Sequence, residues 1–408
     1  MLPDRRFEFL RSEWRFLLFG LLTAFWSCPG QTFLISLFSA ELRAGFDLSH
    51  SGFSGIYTLA TLTSAAILWK AGQLIDRLPL AKFVWWTTAA MSAATAAFAL
   101  VTGPVTLFLG ILAVRFMGQG MMTHIALTAM ARRYTRARGT AVAIASMGFP
   151  LGEAMFPILL IAALPLFDWR TLWIFMGLAV AVTMLPAVSF LLRRTVSQDG
   201  HGTETLEDED ENNRHWDRSE MLRDRRFYLI APLPIAHSAI GTGIFFHQVH
   251  IVATKGWNLE WWAVCFVIYA GAQVFGNLAS GRLVDRFSAR RIVPFTLMPL
   301  AAALVLLAAF DGALWAAVIM GLIGVSSGAN NPVTSSLWAE LYGTRHLGSI
   351  RSVAAVMMVF ASALGPVLMG WAIDGGVTLG AMALVSSVIV VTANGSAAIS
   401  VLSESPRN

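Results

Sequence analysis

Gly72-Gln-Leu-Ile-Asp76-Arg77 recurs 209 residues later as Gly281-Arg-Leu-Val-Asp285-Arg286. The chain has 408 residues, so the spacing is about half its length. Each copy closes an apolar run and is followed by further bases, Lys82 after the first and Arg290 and Arg291 after the second. A short polar motif at the same place in each half marks an internal repeat.

Composition agrees with a membrane setting. The chain is 56% hydrophobic and 13% charged, with a mean hydropathy of +0.64, whereas soluble domains run about 45–50% apolar and about 25% charged. Too few charges remain to solvate the face of a water-soluble fold this long. The pI of 9.6 comes from scattered arginines rather than one basic face, which argues against nucleic acid as a partner. Cys28 and Cys265 both lie in apolar runs, so neither a disulfide scaffold nor a multi-cysteine zinc site is expected.

A helix needs about 20 apolar residues to cross the hydrocarbon core. Twelve runs qualify, near 15–40, 52–75, 81–102, 105–131, 139–164, 171–192, 227–253, 261–284, 292–310, 313–339, 348–373 and 379–402. They lack the ten-residue alternation of a β-barrel. With both termini inside, 25 of the 29 Lys and Arg residues fall on the cytoplasmic side, Arg43, Arg170 and Lys255 fall outside, and Arg115 lies within a span. That asymmetry supports the count and the orientation together. The first run is too long for a signal peptide and reads as an uncleaved span. Residues 193–225 hold ten of the 24 acids and read as a flexible cytoplasmic linker, with partner docking or metal buffering as minor alternatives. The expected organisation is all-α and integral to the membrane: a six-helix bundle over 1–192, the linker 193–225, and a second, pseudo-symmetric six-helix bundle over 226–408.

The repeated Gly-x-x-x-Asp-Arg loop resembles the signature of the major facilitator superfamily, and twelve spans with a long central loop extend the resemblance to the whole chain. It implies a carrier working by alternating access, with Gly72, Asp76, Arg77, Gly281, Asp285 and Arg286 in a cytoplasmic gate motif. Small residues at 72 and 281 would let helices approach, and the aspartates would meet the positive end of a neighbouring helix. Glu340, Arg345 and Arg351, at the inner ends of spans ten and eleven, suit the same gate. Arg115-Phe-Met-Gly118-Gln-Gly120 in span four, and Arg138-Gly139-Thr-Ala141 through Gly148, Gly152 and Pro157 in span five, are similar to the monocarboxylate and oxalate/formate branch. The chain departs from the organic-anion members in having no acid–base pair in span eight and no base within span eleven.

Ionisable groups deep in a bilayer are costly and become functional candidates by default. Glu153 is the one deep acid, roughly 21 Å along span five, and Arg115 the one deep base, roughly 16 Å along span four. Either the two pair and fix helix register, or at least one faces a cavity, where Arg115 attracts an anion and Glu153 carries a proton. Gln119 and Ser146 lie on the respective faces of this pair at helical spacing. Span seven carries His237 and His247-Gln248-Val-His250. Three uses are open for these histidines: bracing hydrogen bonds, contact with substrate or proton, or metal chelation by His247 and His250, for which no third ligand is in sight. His124 reads as a packed, satisfied histidine. Gln31 beside the Pro29-Gly30 break in span one, Tyr57, Gln273 with Asn277, and Asn330 at an expected break of span ten complete the substrate candidates. Interhelical hydrogen bonding is the alternative for each.

A secondary transporter of a small solute is therefore expected, with an organic anion such as a monocarboxylate leading and a proton-driven exporter of drugs or amphiphilic metabolites as the alternative. No phosphate-cradling Gly-x-x-x-x-Gly-Lys motif occurs, so ATP-driven transport by this chain is unsupported. An enzyme would need a catalytic cluster at the membrane surface, and a sensor a long cytoplasmic extension. The expected partners are a small-molecule substrate, membrane lipid and protons, with no cofactor, no metal and no nucleic acid. A monomer in the plasma (inner) membrane with both termini cytoplasmic is the expectation.

Overall fold

The computed structural model describes residues 3–134, 137–193, 216–343 and 345–402, with side chains at 3–8, 76, 77 and 402 outside the description. Most of the linker therefore lies outside the described residues. Among those described, twelve helical stretches are long and apolar enough to cross a membrane. They are Phe9–Leu37, His50–Ala71, Leu80–Leu100, Pro104–Arg133, Arg138–Ala163, Trp169–Leu191, Arg225–Phe246, Leu259–Phe287, Ala289–Ala309, Ala313–Tyr342, Leu347–Asp374 and Leu379–Val401. Each overlaps one expected run. Large apolar side chains point outward, Leu314 at 78% and Leu166 at 76% exposure, while Thr23, Ser27, Ser36 and Arg115 are buried. That inversion of the soluble pattern is what lipid as solvent allows.

The chain divides into two compact units, residues 1–47 with 59–206, and residues 48–58 with 207–408. The 209-residue repeat governs their internal geometry. Helices start at His50 and Leu259, Leu80 and Ala289, Pro104 and Ala313, and Arg138 and Leu347, each pair separated by that interval. The kink at Phe38 (φ −94°, ψ 14°) recurs at His247 (φ −96°, ψ 17°). The left-handed residue Asp47 (φ 50°) recurs as Gly256 (φ 64°). Pro157 inside span five recurs as Pro366 inside span eleven.

Four local expectations change. Span ten is one continuous helix, Ala313–Tyr342, with Pro332 inside it, so Asn330-Asn331-Pro332 does not break it. A proline removes one backbone bond, and the packing of span ten along span eight holds the helix through that loss. Span seven is not straight: it ends at Phe246, turns at His247 and resumes as Gln248–Lys255, so His237 and Gln248 do not share one helix. Span five divides at Met147 into Arg138–Ser146 and Gly148–Ala163, placing Ser146 and Glu153 on different segments. Span four is π-helical over Arg115–Met122. With i→i+5 bonding, Gln119 no longer stacks over Arg115 as α-helical spacing would have it.

Candidate functional site

In the first unit the site is built around a break. Pro29 has no amide hydrogen to continue the α-helix, and span one becomes a tight 3-10 turn at Cys28–Gly30, ending at an extended Gln31 (φ −84°, ψ 152°). The π-helical stretch of span four crosses this turn. A Cβ on Gly30 would lie 2.9 Å from Gly118 Cα and from the Gln119 amide nitrogen, and a Cβ on Gly118 would lie 2.9 Å from Gly30 Cα. Only two glycines let the backbones meet this closely. A π-bulge at a ligand-binding stretch is a recurrent arrangement, and a broken helix leaves backbone groups that protein or cavity must satisfy.

Arg115 answers that need. It is 2% exposed, and its Nη1 donates to the Gly30 carbonyl at 3.5 Å and to Thr32 Oγ1 at 3.3 Å, on either side of Gln31. Gln31 Nε2 donates to Ser27 Oγ at 3.5 Å, the far side of the same turn. Span five approaches from its second segment, where Gly152 faces Cys28. Glu153 follows directly, and its Oε2 is buried with no hydrogen-bond partner. Pro157, four residues on, cannot donate to the Glu153 carbonyl as a helix would require. The structure thus gathers Gln31, Arg115, Gln119 and Glu153 at one break, and the Arg115 guanidinium bonds to the break rather than to Glu153. Thr32 and Cys28, absent from the sequence candidates, belong to this group. The Pro29-Gly30 break was the signal that pointed to their neighbourhood.

The candidates of the second unit divide into smaller groups. Tyr57 is fully buried and its ring sits 4.6 Å from that of Phe246, which also contacts His247 at 5.0 Å. His247 Nε2 donates to the Pro366 carbonyl at 2.8 Å. A carbonyl can only accept, so Nε2 carries the proton. Gln248, also buried, accepts at Oε1 from Trp262 Nε1 at 2.9 Å. Gln273 Nε2 donates to Tyr269 Oη at 3.3 Å, while Asn277 is exposed. Asn330 is buried and accepts from Thr334 Oγ1 at 3.4 Å. His237 Nδ1 is buried with no hydrogen-bond partner.

His50 was not among the sequence candidates. Its ring lies 4.6 Å from that of His250 and 5.8 Å from that of His247. Asp374 accepts from the backbone amides of His50 at 3.1 Å and Ser51 at 2.8 Å, capping the start of span two. No local pattern announces either contact, because the partners are more than 190 positions apart. Among the described residues no group of three His, Cys, Asp or Glu side chains is disposed to hold a metal ion.

At the gate motif the side chains of Asp76 and Arg77 lie outside the described residues. The carbonyls that end span two are held from span four. His124 Nε2 donates to the Gly72 carbonyl at 3.2 Å while its Nδ1 accepts from Thr128 at 3.4 Å, and Arg132 Nη1 donates to the Ile75 carbonyl at 3.3 Å. Donors at a helix C-terminus satisfy its orphan carbonyls. In the second unit Asp285 and Arg286 are exposed, as is Arg345. Glu340 takes the helix-start role expected of Asp285, accepting from the amides of Ala289 at 2.7 Å and Arg290 at 3.3 Å. Gly281 has open space where a Cβ would stand, so close helix approach does not explain it.

The fold with these elements has clear relatives. A bacterial homologue of the human lysosomal transporter Spinster superposes with a TM-score of 0.71 at 16% identity, covering 96% of this chain and 98% of that one. The nucleoside transporter NupG superposes with a TM-score of 0.70 at 14% identity, covering 95% and 99%. No curated protein sequence matches the chain. The family profile described as Major Facilitator Superfamily matches residues 17–366 and 244–406. With that match over nearly the whole sequence and twelve spans in two repeated units, the chain belongs to the Major Facilitator Superfamily of transporters, and it is not an enzyme.

Proposed function

We propose that the chain is a proton-coupled secondary transporter of a small organic anion, with the break in span one as the centre of its first-unit site. The observation that carries the reading is Glu153: a carboxylate oxygen buried deep in a span, without a hydrogen-bond partner. An ionised carboxylate there is strongly disfavoured unless a proton or a cation arrives, so Glu153 suits a group that gains and loses a proton each cycle. Arg115 supplies positive charge within the same turn of the break, and Gln31 and Gln119 offer amide donors to an anion. His237 is the corresponding candidate of the second unit for proton exchange. The monocarboxylate-like pattern of spans four and five supports the anion class. The arginine-rich side is assigned to the cytoplasm, both termini with it, in a plasma membrane.

A specific feature favours a second reading. The second unit carries an apolar groove of about 650 Å³ along spans seven, eleven and twelve, walled by residues such as Ile235, Ile240, Leu368, Met369, Val385 and Ile389. Such a groove suits an amphiphilic solute entering from lipid, as in an exporter.

Uptake of labelled mono- and dicarboxylates into proteoliposomes, with and without an inward proton gradient, separates the readings. Gradient-stimulated uptake by wild type, lost in Glu153→Gln while counterflow exchange persists, is the expected outcome. Equal stimulation in both proteins removes Glu153 from proton coupling. Absence of carboxylate transport by folded wild type moves the assignment to amphiphilic solutes.

A further inference from the structure

The arginine-rich ends of spans three and six enclose a second cavity, of about 330 Å³, within the first unit. Its walls are Ala81, Val188 and Leu192 with the indoles of Trp85 and Trp86, and its charged lining consists of Lys82 and Arg193. No acid lines it. Trp86 is 61% and Trp85 37% exposed, and their rings meet edge to face at 5.0 Å. A third cation, Arg15, stands 5.0 Å from the ring of Phe190 at the same end of span six.

We propose that this cavity binds the headgroup of an anionic phospholipid from the leaflet on the arginine-rich side. The chemistry is divided as such a lipid is. Lys82 and Arg193 can reach a phosphodiester from the polar rim, their stems lying along apolar wall as long basic side chains do at interfaces. Indoles favour the headgroup level of a bilayer, so Trp85 and Trp86 flank the glycerol region, and Val188 and Leu192 meet the upper acyl chain. The two lining cations give the site a positive sign, which a zwitterionic headgroup with its own ammonium satisfies poorly. Basic pockets between spans on the cytoplasmic side are suited to anionic headgroups on these grounds.

Native mass spectrometry of the full chain, released from micelles with added phosphatidylglycerol or phosphatidylcholine, tests the assignment. Wild type is expected to hold one phosphatidylglycerol about tenfold or more tightly than phosphatidylcholine. Lys82→Gln with Arg193→Gln should abolish that preference. Lys82→Arg with Arg193→Lys should keep it, as should a charge-matched control, Arg291→Gln with Arg351→Gln. The proposal is overturned if the Lys82→Gln/Arg193→Gln protein keeps the preference, or if the control loses it equally. Binding of glycerol 3-phosphate alone, as tightly as the lipid, would overturn it too, because the site would then recognise a free anion.

Discussion

At the residue scale, the crossing of Gly30 and Gly118 sets the sharpest constraint. The atoms a Gly118 Cβ would strike, including Gly30 Cα and N at 2.9 Å, are backbone and cannot swing aside. Gly118→Ala should cost about 1–3 kcal/mol through overpacking and lower the unfolding temperature in detergent. Gly139→Ala, whose Cβ would meet nothing within 4 Å, should leave that temperature unchanged or raise it. Asp168 makes a prediction in pH. Its carboxylate accepts from the Thr171 amide at 2.6 Å at the start of span six, and that bond holds its pKa below the ordinary value. A lowered pKa stabilises the fold above the unfolded value of about 3.9, and the contribution is lost as pH falls through the folded value. The protection factor of the Thr171 amide, its exchange corrected for the intrinsic pH dependence, should therefore be flat from neutral pH to about 5 and fall below it, while Asp168→Asn should show no such acid limb.

At the scale of elements, charged side chains do their work at helix ends. Two of the three bases expected outside are of this kind. Arg170 donates to the carbonyls of Ala99 and Val101 at 2.6 and 2.7 Å, ending span three, and Lys255 donates to the Phe310 carbonyl at 3.1 Å, ending span nine. Each has a local role at its expected outside position, since it satisfies orphan carbonyls. Asp374 is the acidic counterpart at the start of span two. Asp374→Ala should raise amide exchange at His50 and Ser51 and cost about 1 kcal/mol, a typical capping loss. Unchanged protection there would show that span two starts without the cap. The break in span one was legible because Pro29-Gly30 states it. The break at Met147 is also stated, by Pro150, which cannot donate to the Ser146 carbonyl, whereas the π-helical stretch from Arg115 was not legible, since it contains no residue that forbids an α-helix.

At the scale of the whole molecule, the 209-residue interval connects sequence to architecture. The motif pair at Asp76 and Asp285 already carried it, and the helix starts, kinks and inner prolines repeat it. The repeat does not extend to the chemistry. Arg115 and Glu153 have Gly324 and Ser362 at the equivalent places, so the deep charges belong to the first unit alone. Orientation is testable directly. A protease site inserted between Gly200 and Gly202 should resist external protease in intact cells and be cut in inside-out vesicles. Cleavage in intact cells would invert the assigned sidedness of every loop.

The sequence by itself determined the class, the number of spans, the duplication and the two deep ionisable groups. The duplication follows from the motif repeated at 209 residues, and the rest from the cost of placing polar groups in hydrocarbon, which is paid residue by residue and is visible in composition. Tertiary structure decided what those groups touch. Arg115 turned to the broken backbone of span one and left Glu153 without that partner, because a π-helical turn rotated the arginine and two glycines brought the helices together. Tertiary structure also set Tyr57 against Phe246, Gln248 on Trp262 and His247 on Pro366. Such pairings depend on distances between residues far apart in the chain, and no local pattern encodes them.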